Sequence, residues 1–183
     1  RGDIRACQRA IDRAVSGDGT TRDEPYYWAL LAALWTEIRD AESALQFAVQ
    51  GLKLLRQKRI RGTTDGCSLC HSTTDEADLL AAAGRSLMQV GFNTLCQRFL
   101  RRAAQLHARA ADQTSAACDW LFLALAAEAK GDEPLRTESL HLSSRCLTFS
   151  LIKDDRSRCI AECLQEQFSS TEASEYDIAG DNI

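Results

Sequence analysis

Cys67, Cys70 and His71 are the sharpest chemical signal in the chain. Cys-x-x-Cys-His is the spacing that attaches haem covalently, and Cys-x-x-Cys is half of a tetrahedral zinc site. Each reading makes further demands. A haem needs an enclosing apolar pocket and usually a second axial ligand. Here the motif sits in a polar, glycine-containing stretch, RIRGTTDGCSLCHST, over Arg59 to Thr73. The single methionine, Met88, and the other two histidines, His107 and His141, fall on predicted helices. A zinc needs a fourth ligand, and there is no second Cys-x-x-Cys. Cys159 and Cys163, one helical turn apart, are the pair that would have to complete the set. The expectation is a mobile loop over 59–73, with no metal and no cofactor.

No other enzymatic constellation stands out. His107 and His141 have no nearby carboxylate pattern of the triad kind, and each reads as a surface or hydrogen-bonded histidine. The chain has no glycine-rich phosphate loop, nucleophile elbow or paired-carboxylate signature. The expectation is a protein that is not an enzyme. Arg1-Gly2-Asp3 spells an adhesion tripeptide, but it reads better as a helix entry with Asp3 near the N-cap.

Two basic clusters remain. Lys53, Arg56, Lys58, Arg59 and Arg61 close one predicted helix, and Arg98, Arg101, Arg102 and Arg109 line another. Arg101, Arg102 and Arg109 share part of a face, with Arg98 a turn away. Such clusters are either solvated faces or docking surfaces for an acidic protein. Arginine suits docking because its fork binds a carboxylate through two donors.

The bulk composition sets the frame. The 183 residues are enough for one domain with a substantial core, and the net charge of −4 disfavours nucleic acid as the main partner. Alanine and leucine dominate the apolar fraction and proline is nearly absent, which favours helices packed on helices. Six of the eight cysteines (Cys7, Cys96, Cys118, Cys146, Cys159 and Cys163) fall inside helical patterns, where cysteine behaves as a small buried apolar residue. Free thiols in a reducing compartment are expected. There is no secretory signal and no apolar run long enough to span a bilayer. A start at Arg1 without methionine reads as a fragment of a longer protein.

The apolar spacing predicts an all-α fold of about eight helices. The first covers Ile4 to Val15. Asp23-Glu24-Pro25 opens the second, which carries Tyr26, Tyr27, Trp28, Leu31, Leu34, Trp35 and Ile38. Arg39-Asp40 breaks it, and the third runs from Ala41 to Lys58. A Thr73/Glu76 capping box starts the fourth, Asp75 to Val90. Gly91 is a stop and Asn93 an N-cap for the fifth, which reaches about Ala110. The sixth spans about Thr114 to Lys130. Gly131-Asp132-Glu133-Pro134 leads into the seventh, with Leu135, Leu140, Leu142, Cys146, Leu147 and Phe149 inward. The eighth, about Asp155 to Phe168, buries Cys159, Ile160, Cys163 and Leu164. Residues 1–168 form one domain, and the acidic 169–183 is expected to be a disordered tail.

The break between the second and third helices is short enough to require an antiparallel hairpin. Trp28, Leu31, Ala32, Trp35, Ala44, Ala48 and Gly51 fall where a tetratricopeptide unit places large and small residues. Leu80, Ala83, Gly84, Leu87, Cys96, Leu100 and Ala103 repeat the template. Trp120, Leu123, Ala124, Ala127, Arg136, Leu140 and Ser143 fit it less well. The spacing between units is longer than the repeat's roughly 34 residues. The expected architecture is therefore an irregular, tetratricopeptide-like array of antiparallel helical hairpins.

Within that array, Asp78-Leu79-Leu80 precedes Arg85-Ser86-Leu87. Cys96-Gln97-Arg98-Phe99-Leu100 follows, then Arg101-Arg102-Ala103-Ala104-Gln105. After these come Gly131 and Pro134-x-Arg136-Thr137 with Leu140 and Leu142. In that order these residues resemble the C-terminal regulatory domain of the sterol regulatory element-binding proteins, over roughly Tyr26 to Phe149. The segment after Ser150 is shorter than in that family, and the Cys67-Cys70-His71 loop has no counterpart there. The resemblance implies a cytosolic domain of a transcription factor precursor anchored in the endoplasmic reticulum membrane by the rest of its chain. It implies binding to the WD-repeat domain of the cleavage-activating escort protein, in sterol-regulated transport to the Golgi, with no nucleic-acid contact by this domain. The contact residues expected for such docking are Arg98, Arg101 and Arg102, then Arg136 and Arg145. Two other readings stand beside it: an unrelated tetratricopeptide-like adaptor that binds a peptide or protein, and a metal or haem redox protein using Cys67, Cys70 and His71.

Overall fold

A computed structural model describes residues 24–61, 68–149 and 157–168, together with Ala6, Arg9 and Arg13; for 68–72 it describes the backbone only. From residue 24 onward the described residues form seven helices and no strand. They are α1 Pro25–Glu37, α2 Ala41–Ile60, α3 Ser68–Gln89, α4 Asn93–Arg109, α5 Gln113–Glu128 and α6 Glu133–Phe149, followed by α7 over 157–168. Ala6, Arg9 and Arg13 are also helical, and Arg13 Nε donates to the Arg9 carbonyl at 3.2 Å. The rest of the predicted first helix and the acidic 169–183 lie outside the described residues.

One turn design recurs four times. Arg39, Gly91, Ala111 and Gly131 sit in the left-handed region, at φ 65°, 82°, 62° and 70°. The next residue in each case donates its N–H five residues back: Asp40 to Trp35 O, Phe92 to Leu87 O, Asp112 to His107 O and Asp132 to Ala127 O, all at 2.9–3.1 Å. This is the Schellman closure, which satisfies carbonyls that a helix end leaves open. That same next residue caps the following helix. Asp40 accepts from Ser43 N at 3.1 Å, Asp112 from Ser115 N at 3.0 Å and Asp132 from Leu135 N at 3.2 Å. The fourth turn departs from expectation. Phe92, not Asn93, holds the cap position, and no side chain caps α4.

A second departure concerns 59–73. Arg59 and Ile60 close α2, and α3 begins at Ser68, so Thr73 is inside a helix rather than at its cap. The physical reason is cooperativity. Once a helix exists, each added residue gains a hydrogen bond without a new nucleation cost, and no Gly or Pro lies between Ser68 and Thr73.

Each helix packs on the next from α1 to α6; α1 also packs on α3, and α3 touches α5. Ile160 and Leu164 of α7 pack with Ala117, Leu121 and Ala124 of α5 and Leu140 of α6. The central α5 is buried on nearly every side. Small residues set the spacing. A Cβ on Gly51 would lie 2.5 Å from Leu79 Cδ2, and one on Gly84 would lie 2.7 Å from Leu100 Cγ. Leu79, Leu100, Leu123 and Leu140 fill the seams, each burial worth about 1.5–3 kcal/mol. Polar links also cross the interior. Thr36 Oγ1 lies 3.2 Å from Ser86 Oγ between α1 and α3, and Ser143 Oγ donates to Ala117 O at 2.6 Å between α6 and α5.

The cysteines divide. Cys96 is fully buried, and burial pushes its thiol up to about 11. Cys118 and Cys146 are half-buried, whereas Cys159 and Cys163, expected inward, are exposed. The reason is a narrow stripe. Ser157, Ile160 and Leu164 are the buried positions of α7, and at 100° per residue the two cysteines fall on its flank. Phe149 was also expected inward and is 67% exposed at the end of α6. No helix among the described residues is long and apolar enough to cross a membrane.

Candidate protein-docking face

The strongest division of apolar from charged residues belongs to α4. Cys96, Leu100, Ala103, Ala104, Leu106 and His107 point inward and are buried. Arg98, Arg101, Arg102 and Arg109 are exposed. At 100° per residue these four fall within roughly 100° of one another, along about 16 Å of helix. Arg98 thus belongs to the same face as the other three. Among the described residues Arg98, Arg101 and Arg109 form no ion pair. Arg102 Nη2 reaches Glu76 Oε1 at 3.9 Å, and Glu76 also pairs with Arg59 of α2. Through Glu76, one arginine of each basic cluster meets on α3.

The α4 face has an apolar head that the sequence reading did not include. Phe92 is 63% exposed and Leu95 42%, with Val90 exposed in the preceding turn. Leu95 and Arg98 are neighbours on the helix surface, at i and i+3. Lys130 Nζ, from the α5–α6 turn, donates to Thr94 Oγ1 at 3.0 Å beside them. Exposed apolar anchors flanked by arginines are the composition that protein interfaces favour.

The other expected contact residues separate. Arg145 is exposed on α6, two helices on from α4. Arg136 leaves the set, because only 4% of it is exposed and its guanidinium is engaged within the fold. Nη1 donates to Glu133 Oε1 at 2.9 Å, Nη2 donates to the Gln167 carbonyl at 3.2 Å, and Nε lies 3.8 Å from Glu128 Oε1. It ties the end of α5 and the start of α6 to the end of α7.

His107 is the hydrogen-bonded histidine of the two alternatives, and its partners are carboxylates that the sequence pattern did not point to. Its Nδ1 lies 2.8 Å from Asp119 Oδ2 on α5, and its Nε2 lies 3.2 Å from Asp78 Oδ1 on α3. His107 and Asp119 are both buried. Burial works against the charged ring, but the hydrogen bonds from Asp119 and then Asp78 outweigh it and raise the imidazole to about 9. A doubly protonated ring donates from both nitrogens and keeps no lone pair to act as a base. The geometry therefore braces three helices. His141 is exposed, with its ring 5.7 Å from that of Phe168. Of the haem or zinc candidates, Cys67 lies outside the described residues, while Cys70 and His71 belong to the first turn of α3. Among the described residues, no group of three or more His, Cys, Asp or Glu is placed to hold a metal ion.

The chain matches no protein-family model, and no curated protein or solved structure matches it.

Proposed function

We propose that this chain is a protein-interaction domain that docks a folded partner through the outer face of α4. The observation that carries the reading is the alignment of Arg98, Arg101, Arg102 and Arg109 on one exposed face, headed by Phe92 and Leu95. The residue order shared with the sterol regulatory element-binding proteins supports a particular partner, the WD-repeat domain of their escort protein. On that reading the domain works at the cytosolic face of the endoplasmic reticulum membrane, catalyses nothing and touches no nucleic acid. Its part in sterol-regulated transport is to hold the precursor on its escort. A stable complex of this kind buries on the order of 1,600 Å² in total.

We further read α1–α2, α3–α4 and α5–α6 as antiparallel hairpins of a tetratricopeptide-like array. The four Schellman turns and the close approaches at Gly51 and Gly84 support it. The second reading, an unrelated adaptor of that architecture, is favoured by a cleft lined by α1, α3 and α5.

Size-exclusion chromatography of the purified chain with the WD-repeat domain tests the first reading. Co-elution at micromolar concentrations is the expected result. Separate elution of a chain shown to be helical by circular dichroism would shift the assignment to the adaptor.

A further inference from the structure

The cleft between α1, α3 and α5 encloses about 530 Å³ and is lined by Thr36, Glu37, Arg39, Arg85, Met88, Gln89 and Phe122. Arg85 dominates it. Its guanidinium lies 5.4 Å from the centroid of the Phe122 ring, so the cation is held against an aromatic face. The side chain is 17% exposed, yet its partners are few and long. Nε donates to Ala81 O at 3.4 Å, and Nη1 lies 3.6 Å from Glu37 Oε1, a carboxylate that is itself 76% exposed. Among the described residues Nη2 has no partner. A guanidinium carries five donors in a fork shaped for a carboxylate, and the protein partners of this one are two long contacts.

The surroundings define the rest of the ligand. Met88 and Phe122 supply apolar wall, and Arg39 adds a second cation. Gln89 is held in place by its donation to Thr36 O at 3.2 Å. The cation and the apolar wall therefore lie side by side. A small anion would leave that wall unused, whereas a peptide presents an acidic and an apolar side chain together.

We infer that this cleft binds an extended peptide segment of a partner, with an acidic side chain on Arg85 and the adjacent apolar side chain against Phe122 and Met88. The site is separate from the α4 face and stands whether or not that face docks the escort protein.

The test is a titration of the isotope-labelled full chain, followed by NMR at the Arg85 Nε–H. The probes are acetyl-Leu-Asp-Leu-Asp-Leu-amide and the same peptide with Asn in place of each Asp. The Asp peptide is expected to move the Arg85 signal in a saturable way, with the Asn peptide at least about tenfold weaker, because hydrogen bonds to charged groups are the stronger ones. Arg85→Lys is expected to weaken binding several-fold by losing the fork, and Phe122→Leu by losing the stack, while R101E/R102E leaves it unchanged. Equal response to both peptides, no saturable response, or full binding by folded Arg85→Lys would each overturn the inference. Shifts confined to the α4 arginines would also overturn it, and would assign the acidic contact to the docking face.

Discussion

His107 Nδ1 and Asp119 Oδ2 lie 2.8 Å apart, in a chain interior that excludes both side chains from water. This contact, completed by Asp78 at 3.2 Å, makes stability depend on pH in a definite direction. The folded imidazole is raised to about 9 from an ordinary 6.5, so the native state holds its proton more tightly than the unfolded chain. Stability from this group is therefore full below pH 6.5 and is lost as pH rises through 9. The loss is on the order of 3 kcal/mol. Urea midpoints measured from pH 6 to pH 10 should fall across that window, and His107→Gln should flatten the profile. A flat profile in the unaltered chain would mean that His107 is neutral in the fold.

Arg136 predicts a different defect. It is buried and joins Glu133 at the start of α6 to the Gln167 carbonyl at the end of α7. Arg136→Ala removes that clasp but leaves carboxylates that already face water, Glu133 and Glu128 being 60% and 51% exposed. The expected cost is about 2 kcal/mol, below that of stranding a buried charge. Hydrogen exchange should show the loss concentrated in α7 and at the α6 N-terminus. Uniform acceleration through α1 to α5 would contradict this.

Much of the helical layout was legible because its punctuation is local. Gly91 and Gly131 announce ends, and Arg39-Asp40 marks a break, within a few residues. Arg39 and Ala111 adopt the same left-handed turn without glycine, and the Asp112 cap that follows Ala111 was not read from the sequence. The α3 start was missed because Thr73 and Glu76 imitate a cap inside a helix that propagates past them. The His107 brace and the Arg136 clasp were not legible at all. Asp119, Asp78 and Gln167 lie on other helices, 12, 29 and 31 positions from the residues they meet, and no periodicity links them; only Glu133, on the same helix as Arg136, is at a helical spacing. The α4 arginines stood out from the sequence, but the exposure of all four, with Phe92 and Leu95 exposed at the N-terminal end of the helix, depended on the register in which α4 packs.

Two single substitutions should move stability in opposite directions. At Gly84 an added methyl would sit 2.7 Å from Leu100 Cγ and 3.3 Å from Leu100 N, so α3 and α4 must separate. Gly84→Ala is expected to cost about 1–3 kcal/mol, the usual range for overpacking. At Ala111, φ is 62°, a conformation that costs an L-residue about 1–2 kcal/mol. Glycine removes that strain but adds freedom to the unfolded chain. Ala111→Gly should therefore gain about 0.5–1 kcal/mol. Thermal melts of both variants beside the parent check the pair, and a stabilised Gly84→Ala would refute the close approach of α3 and α4.

The proposed docking face makes the functional prediction. Arg101 and Arg102 are exposed, and the single ion pair between them and a described residue is the 3.9 Å contact of Arg102 with Glu76. An exposed pair of that kind contributes about 0–1 kcal/mol, so R101E/R102E should leave helicity intact and shift the melting temperature by only a few degrees. Binding should respond far more strongly. Reversing two charges replaces attraction with repulsion against an acidic partner surface, which costs several kcal/mol and slows association. Affinity for the WD-repeat domain, measured by calorimetry, is expected to fall at least about tenfold. Phe92→Ser should weaken binding through lost apolar contact, with little change in its salt dependence. If R101E/R102E binds as the parent does while Phe92→Ser fails, the apolar head alone is the docking site. If both bind normally, the α4 face carries no partner.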